Sequence, residues 1–303
     1  MATTDTVLRR SIDARGDQLI LTLDPAFQGL PDTAHGGSVL AAFDALAELA
    51  GPREVAGLYR KRVPLGVPLE LALERADSAC TFVLSDRHTL LVDGRVAPAA
   101  EGNPAGPGPL LRHASGRFLR VTPGDAQKQR VSEGARDAGA HPLPVSRTCF
   151  ACGIDNELGL RVQLEFDDAE VRARWRPREP LRAADGTLAT AALTTLADEA
   201  AFWLGALATG ESGMTTDLRV TLHHAVEFGG ALTVTGARAS ARPRTDRRYW
   251  DTEVVVRAED GATVASARIT FVAVRGAARR LVKGMLAINP PAVVGRVFPA
   301  YAR

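Results

Sequence analysis

Hydrophobic and polar positions along this chain form short alternating runs and two longer runs that stay apolar over several turns. QLILTLD (18–24) alternates with period two and predicts a strand, whereas GGSVLAAFDALAELAG (36–51) is apolar at helical spacing and predicts a helix. REVAGLYRKRVPLG (53–66), PLELALERADSA (68–79), CTFVLSD (80–86) and HTLLVDGRV (88–96) then predict strands punctuated by Pro, Gly or Asp turns. The order recurs further on. GLRVQLEFD (159–167) and EVRARW (170–175) predict strands, and ATAALTTLADEAAFWLGALA (189–208) predicts a long helix. The segments 215–229, 230–241, 249–260 and 263–274 predict the strands that follow it. Between the halves, residues 98–145 are rich in Pro, Gly and polar residues with little periodicity, as in a linker or long loop. Within that stretch LLRHASGRFLRV is compatible with a short strand or a short helix.

Overlaying the two helices gives a weak internal repeat: Asp44 falls on Asp198, Val39 on Leu193, Leu49 on Trp203 and Gly51 on Gly205. The turn segments VPLGVPLEL and VEFGGALTV then match at Gly66 and Gly229. VLAAFDALAELA carries only Asp44 and Glu48 as charges, so its helix is predicted to be buried on nearly every side. A long helix wrapped by a curved antiparallel sheet is the hotdog architecture. The expected fold is therefore α+β, with two hotdog domains in tandem forming a pseudo-dimer. Joining the two sheets edge to edge would hide exposed strand edges. The expected boundaries are 1–97 for the first domain, 98–145 for the linker, 146–274 for the second domain and 275–303 for a tail.

Composition narrows the picture only a little. The chain has 303 residues, 46% of them hydrophobic, and a formal charge of +2, enough for two domains with real cores. The near-neutral balance gives no support to nucleic acid as a partner. No apolar run approaches the roughly 18 residues of a membrane span, and the start lacks the apolar core of a secretory signal. Cys80, Cys149 and Cys152 do not make a disulfide framework. A cytoplasmic location is the expectation, without a membrane partner.

FQGLPDTAHGGSVLAAFD (27–44) resembles the loop–helix signature of the 4-hydroxybenzoyl-CoA and PaaI-type thioesterases: His-Gly-Gly, then an acid nine residues after the His. CFACGIDNELGLRVQL (149–164) is similar to the Cys-Phe-x-Cys-Gly-x-x-Asn-x-x-Gly-Leu opening of PaaI-like thioesterases, and LADEAAFW (196–203) to their helix segment. The matches touch both halves, about two thirds of the chain at fold level. The resemblance implies a thioester hydrolase acting on acyl-CoA, with coenzyme A as part of the substrate and no metal or redox cofactor.

Physical chemistry explains the loop independently. A helix N-terminus offers unpaired N–H groups and partial positive charge to an oxyanion, and glycine lets the backbone approach a thioester carbonyl. Gly36 N–H is the candidate oxyanion donor, with Gly37 beside it; the resemblance implies that His35 orders the loop. Eight helical residues separate Gly36 from Asp44, roughly 12 Å, too far for both to serve one carbonyl. In the thioesterases this chain resembles, the loop of one subunit faces the helix acid of the other. Carried over, that pairs Gly36 with Asp198 and points Asp44 at the second loop. There the sequence departs from the pattern, with Ala189-Thr190-Ala191 in place of His-Gly-Gly. One composite site is expected, with Asp44 and Thr190 as remnants of another. Asp198 would act as base or as nucleophile. Glu199, about 100° round the helix, is the poorer candidate. The resemblance also implies Thr215 as a hydroxyl holding water near the acid, with Thr216 as its alternative, and Gln28 as an amide supporting the carbonyl oxygen.

Cys149-x-x-Cys152 raises the question of zinc. A zinc site takes four ligands and the sequence holds no second Cys pair; His141 or His223-His224 would complete one only through tertiary proximity. A structural element is the expectation. YRKR (59–62), read as part of a strand, and ARPRTDRR (241–248) are candidate phosphate contacts or plain solvated surface. The tail is expected to form a short helix and then an extended end. The leading reading is an acyl-CoA thioesterase; the alternative is a non-catalytic hotdog that binds acyl-CoA or another acyl ligand as sensor or scaffold. A hotdog dehydratase or hydratase is a weaker third, because its Asp/His signature is not found. A homo-oligomer of pseudo-dimers is compatible with the fold.

Overall fold

The two long apolar runs become the central helices α2 (Gly36–Ala47) and α3 (Thr190–Thr209) of the computed structural model, which describes residues 2–15, 18–76, 78–99 and 139–302. LLRHASGRFLRV lies outside the described residues. Ahead of α2 come α1 (Thr4–Arg10), β1 (Ile12–Arg15) and β2 (Gln18–Leu21). It is followed by β3 (Arg53–Tyr59), β4 (Leu69–Ala76), β5 (Ala79–Asp86) and β6 (Thr89–Pro98). Beyond the linker, β7 (His141–Pro142), β8 (Glu165–Phe166) and β9 (Glu170–Trp175) precede α3. Then come β10 (Gly213–Leu222), β11 (Leu232–Ala237), β12 (Arg242–Pro243), β13 (Tyr249–Arg257) and β14 (Thr263–Ala273). Two helices, α4 (Ala278–Leu286) and α5 (Pro291–Val297), close the chain.

All strands belong to one 14-stranded sheet whose order runs β1-β2-β4-β5-β6-β3-β10-β14-β13-β11-β9-β8-β7, with β12 on β13. The order β2-β4-β5-β6-β3 in the first unit is matched by β9-β11-β13-β14-β10 in the second, each with its helix after the first strand. The junction is β3 against β10, antiparallel from Asp217↔Leu58 to Leu222↔Arg53. This is the α+β tandem hotdog, with the half-sheets joined edge to edge. Val39, Leu40 and Phe43 of α2 and Leu196, Ala200 and Leu204 of α3 are buried among residues that the strands point inward. Phe43 stacks on Phe82 of β5 with ring centroids 4.7 Å apart.

The loops ahead of the two helices repeat each other as well. Before α2, Gln28 bridges Ala34, Gly29 N–H donates to Thr33 O, and His35 N–H donates to Phe27 O. Before α3, Arg182 bridges Leu188, Ala183 N–H donates to Thr187 O, and Ala189 N–H donates to Leu181 O. The second loop thus has the shape of the first with Ala189-Thr190-Ala191 where the first has His35-Gly36-Gly37.

Asp44 is buried and takes a two-pronged hydrogen bond from Arg53, Nε to Oδ1 at 2.5 Å and Nη2 to Oδ2 at 2.7 Å. These bonds hold the Arg53 guanidinium above its ordinary pKa despite partial burial. Asp44→Ala strands that cation beside the C-terminus of α2. The expected cost is about 2–3 kcal/mol of stability, somewhat below that of a fully enclosed pair because Arg53 is partly exposed. Chemical denaturation measures it, and a shift below about 0.5 kcal/mol, the range of neutral surface changes, would contradict the structural role.

Several predicted elements end differently. β3 stops at Tyr59 rather than running through YRKR, because Arg60 and Lys61 N–H groups both turn to Leu91 O and Val63 O accepts from Ala34 N–H. That redirects residues 60–63 onto the loop before α2. GLRVQLEFD pairs only at Glu165–Phe166, since Leu160 and Val162 N–H groups bond to Phe150 O and Ala151 O instead. The end of the tail is helical: Pro291 occupies the first position of α5, where a missing N–H costs nothing.

Candidate active site

The N-terminus of α2 butts against the middle of α3, and that junction builds the site. Thr194 Oγ1 donates to Gly37 O at 2.7 Å, so the backbones nearly touch. One turn further along α3, the Asp198 carboxylate reaches the glycines. Gly37 N–H donates to Asp198 Oδ2 at 3.2 Å, and a methyl group added at Gly36 would stand 2.7 Å from the same oxygen. Gly36 and Asp198 from the two halves therefore meet. The Gly36 N–H, unpaired within the helix by its position, has no acceptor among the described residues.

Asp198 is buried and held from three directions. Besides Gly37, His35 Nδ1 lies 3.1 Å from Oδ2, and Thr215 Oγ1 donates to Oδ1 at 2.7 Å. A register shift between Thr215 and Asp217 separates the two threonines: Thr215 faces the acid, while Thr216 donates to Thr270 O. His35 sits between two carboxylates, its Nε2 3.4 Å from Glu199 Oε2. Burial alone would push the imidazole pKa down; its hydrogen bonds to Asp198 and Glu199 outweigh this and raise it well above the usual histidine value. Glu199 Oε1 in turn accepts from Trp203 Nε1 at 3.0 Å, so this acid is tied to two partners inside the wall.

Two neighbours were not assigned to the site from the sequence. Tyr59 OH donates to Gly36 O at 2.7 Å, and burial together with the Asp198 charge raises its pKa well above the usual value. The period-two run Val55, Gly57, Tyr59 on β3 carried the signal, since it sets Tyr59 on the buried face. Cys149 reaches His35 and Glu199 from the second unit, with nothing in the local sequence to announce it. Gln28 Nε2 donates to Thr148 Oγ1, which places its amide at the seam between the loop and the Cys149 turn. Thr190 opens α3 and contributes its carbonyl to Thr194 Oγ1 at 3.1 Å, while Asp44 is occupied by Arg53.

Gly36, Tyr59, Asp198, Thr215, Gln28 and Trp203 all border a cavity of about 780 Å³. Leu281 and Met285 of α4 lie along it, as do Arg60, Lys61, Arg62, Arg147, Arg244 and Arg280. Arg60, Arg147, Arg244 and Arg280 pair with Asp93, Asp155, Asp251 and Asp32. Lys61 and Arg62 have no acidic partner among the described residues. Neither His223 nor His224 borders the cavity; His223 is hydrogen-bonded to Ser266.

No family model and no curated protein sequence matches this chain. Among solved structures it is similar to the tesB protein of Mycobacterium avium subspecies paratuberculosis, at 11% identity and TM-score 0.56 over 90% of this chain and 100% of that one. It is similar to acyl-CoA thioesterase II TesB2 of Mycobacterium marinum, at 13% identity and TM-score 0.51 over 88% and 96%. It is also similar to the dehydratase domain of PpsC from Mycobacterium tuberculosis, solved in complex with C12:1-CoA, at 16% identity and TM-score 0.50 over 86% and 96%. At these identities the likeness shows the fold, the tandem hotdog. No helix among the described residues is long and apolar enough to cross a membrane.

Proposed function

We propose that the chain is an acyl-CoA thioesterase with one composite site, of the PaaI-like kind, in which the loop of the first unit works with the acid of the second. The observation that carries this reading is the Asp198 carboxylate held against Gly36 and Gly37 at the start of α2, in the wall of a cavity of about 780 Å³. Among the described residues Asp198 Oδ1 accepts only from Thr215, which leaves a lone pair for a water molecule. As general base it takes that water's proton while the oxygen attacks the thioester carbon. The carbonyl oxygen becomes an oxyanion facing Gly36 N–H and the positive end of α2. Collapse re-forms the carbonyl, breaks the C–S bond and expels the CoA thiolate, which takes a proton. Attack by Asp198 itself would pass through an anhydride, and single turnover in H₂¹⁸O would then label the carboxylate. Lys61 and Arg62, which border the cavity, would meet the CoA phosphates.

The pairing of His35 between Asp198 and Glu199 disfavours a dehydratase, which needs a histidine free to exchange a proton with substrate. The test is thiol release from short, long and aromatic acyl-CoAs by the parent, Asp198→Ala and Asp44→Ala. Loss with Asp198→Ala alone supports the composite site; loss with Asp44→Ala alone overturns it. A parent that binds acyl-CoA tightly and hydrolyses none supports the sensor or scaffold alternative. Thr215→Val removes one hydrogen bond to an ionised acid, worth about 1.5–3 kcal/mol, so kcat is expected to fall about 10- to 100-fold. KM should change little, and an unchanged kcat would remove Thr215 from the site.

A further inference from the structure

Glu199 touches neither the water nor the thioester in the thioesterase reading, yet it is buried one residue beyond Asp198 and reaches the same histidine. His35 Nδ1 lies 3.1 Å from Asp198 Oδ2, and Nε2 lies 3.4 Å from Glu199 Oε2. An ionised carboxylate only accepts hydrogen bonds, and a neutral imidazole carries a single N–H. A neutral ring would therefore set a bare nitrogen lone pair against one of two buried acids. Only the imidazolium donates to both. Burial opposes the charged ring, and the bonds to Asp198 and Glu199 still carry its pKa well above the usual value. Gly37 N–H, 3.3 Å from Nδ1, does not need that nitrogen as an acceptor, because Asp198 Oδ2 stands at 3.2 Å.

Glu199 is itself held in place. Trp203, one turn along the same face of α3, donates from Nε1 to Oε1 at 3.0 Å and leaves Oε2 for His35. The indole is fixed in turn by Phe202, edge-on at 5.2 Å, and by Phe298 at 6.2 Å between centroids. Other titratable groups surround the pair. From the turn 149–152, Cys149 Sγ comes within 4.8 Å of the facing atoms of His35 and Glu199, and Cys152 borders the same cavity. From β3, Tyr59 OH donates to Gly36 O. Among the described residues, the ion pairs of Asp198 and Glu199 are those with His35, so two buried acids share one cation.

We propose that Glu199 is a positioning residue for the hydrolysis: through Oε2 it keeps His35 doubly protonated, and His35 Nδ1–H then holds Asp198 as an ionised base with Oδ1 turned to the water. This deepens the thioesterase reading and rests on it. Oδ2 is filled by the His35 and Gly37 donors, so the oxygen that takes the proton is Oδ1. When Asp198 has taken that proton and become neutral, Glu199 still balances the imidazolium, and no unpaired cation is left buried. The two charges act unequally on Asp198. His35 is in contact with it and Glu199 lies beyond the ring, so losing the cation outweighs losing the second anion.

The first readout is the ring-nitrogen NMR spectrum of the full chain with ¹⁵N-labelled histidine, in which the His35 signal, one of six, is identified by its loss in His35→Gln. The expected parent has both His35 nitrogens protonated at about pH 8, above the usual histidine range. Glu199→Gln keeps the size of the side chain and removes its charge, and should leave the ring neutral at that pH. The second readout is kcat against pH for acyl-CoA hydrolysis. In Glu199→Gln its acid limb should move to higher pH by about one unit or more, as expected when a carboxylate loses a contacting cation. A purely structural role would lower the rate equally at every pH and leave the limb in place, and that result overturns the proposal. So does a neutral His35 ring in the parent at about pH 8, which decides the matter even if Glu199→Gln does not fold. A ring neutralised by Cys149→Ser and not by Glu199→Gln would give the counter-ion's role to the thiol, and overturns it as well. A parent that hydrolyses acyl-CoA with a neutral ring sinks this proposal alone; one that shows the imidazolium and hydrolyses nothing sinks the thioesterase reading, and with it the reaction Glu199 would serve.

Discussion

Asp198→Asn is expected to lower kcat/KM for the preferred acyl-CoA by about 10³-fold, within the range a positioned general base contributes. Its midpoint of thermal unfolding should stay within about 3 °C of the parent, a change of roughly 1 kcal/mol. The amide keeps the volume of the acid: its oxygen, in the place of Oδ2, still accepts from Gly37 N–H, and its NH2, in the place of Oδ1, donates to the Thr215 hydroxyl, so the α2–α3 junction has no reason to open. What disappears is the basicity that takes a proton from water, or the charge that attacks the carbonyl. The loss should therefore fall on kcat, with KM nearly unchanged, because the acid touches the reacting atoms and not the bulk of the substrate. Steady-state thiol release and scanning calorimetry decide the matter. A variant with parental kcat would end the assignment of Asp198, and one that no longer folds would make the acid a packing element instead.

Much of this arrangement could be read before the structure, for identifiable reasons. Alternation with period two marked the strands, and two runs apolar on almost every side marked helices that a sheet must wrap. The pairing of Gly36 with Asp198 came from the resemblance, in which the loop of one subunit faces the acid of the other; geometry contributed only that a rigid helix cannot bring Gly36 and Asp44 to one carbonyl. What escaped was everything set by tertiary neighbours. Arg53 neutralises Asp44 from the start of the next strand, and nothing in REVAGLY distinguishes that arginine from a solvated one. Tyr59 was half-visible from strand parity but was read with the basic residues after it, which the chain carries off β3. Cys149 gave no sign that His35 of the other unit would stand beside it. Helix α5 was missed because a Pro-Pro pair reads as extended, although the second proline sits where helices begin.

Gly37→Ala is expected to destabilise the protein by about 2 kcal/mol or more, even though alanine is the better helix former by about 1 kcal/mol. The added methyl would stand 2.5 Å from Thr195 N and 2.6 Å from Thr194 C, both backbone atoms inside α3 that no side-chain rotation can move aside. Relief requires α2 and α3 to part, and that strains the hydrogen bonds from Thr194 Oγ1 to Gly37 O and from Gly37 N–H to Asp198. Gly36→Ala, one residue earlier, meets only the far end of the Asp198 side chain and Leu218. It should leave stability within about 1 kcal/mol of the parent and cut kcat about 10²-fold by pushing the carboxylate off its position, since the backbone N–H itself remains. Denaturant midpoints and kcat measured on both variants separate the roles. If Gly36→Ala unfolds the protein more than Gly37→Ala, the two glycines have been assigned the wrong way round. If neither changes stability or rate, the helix start is not the place where the halves work together.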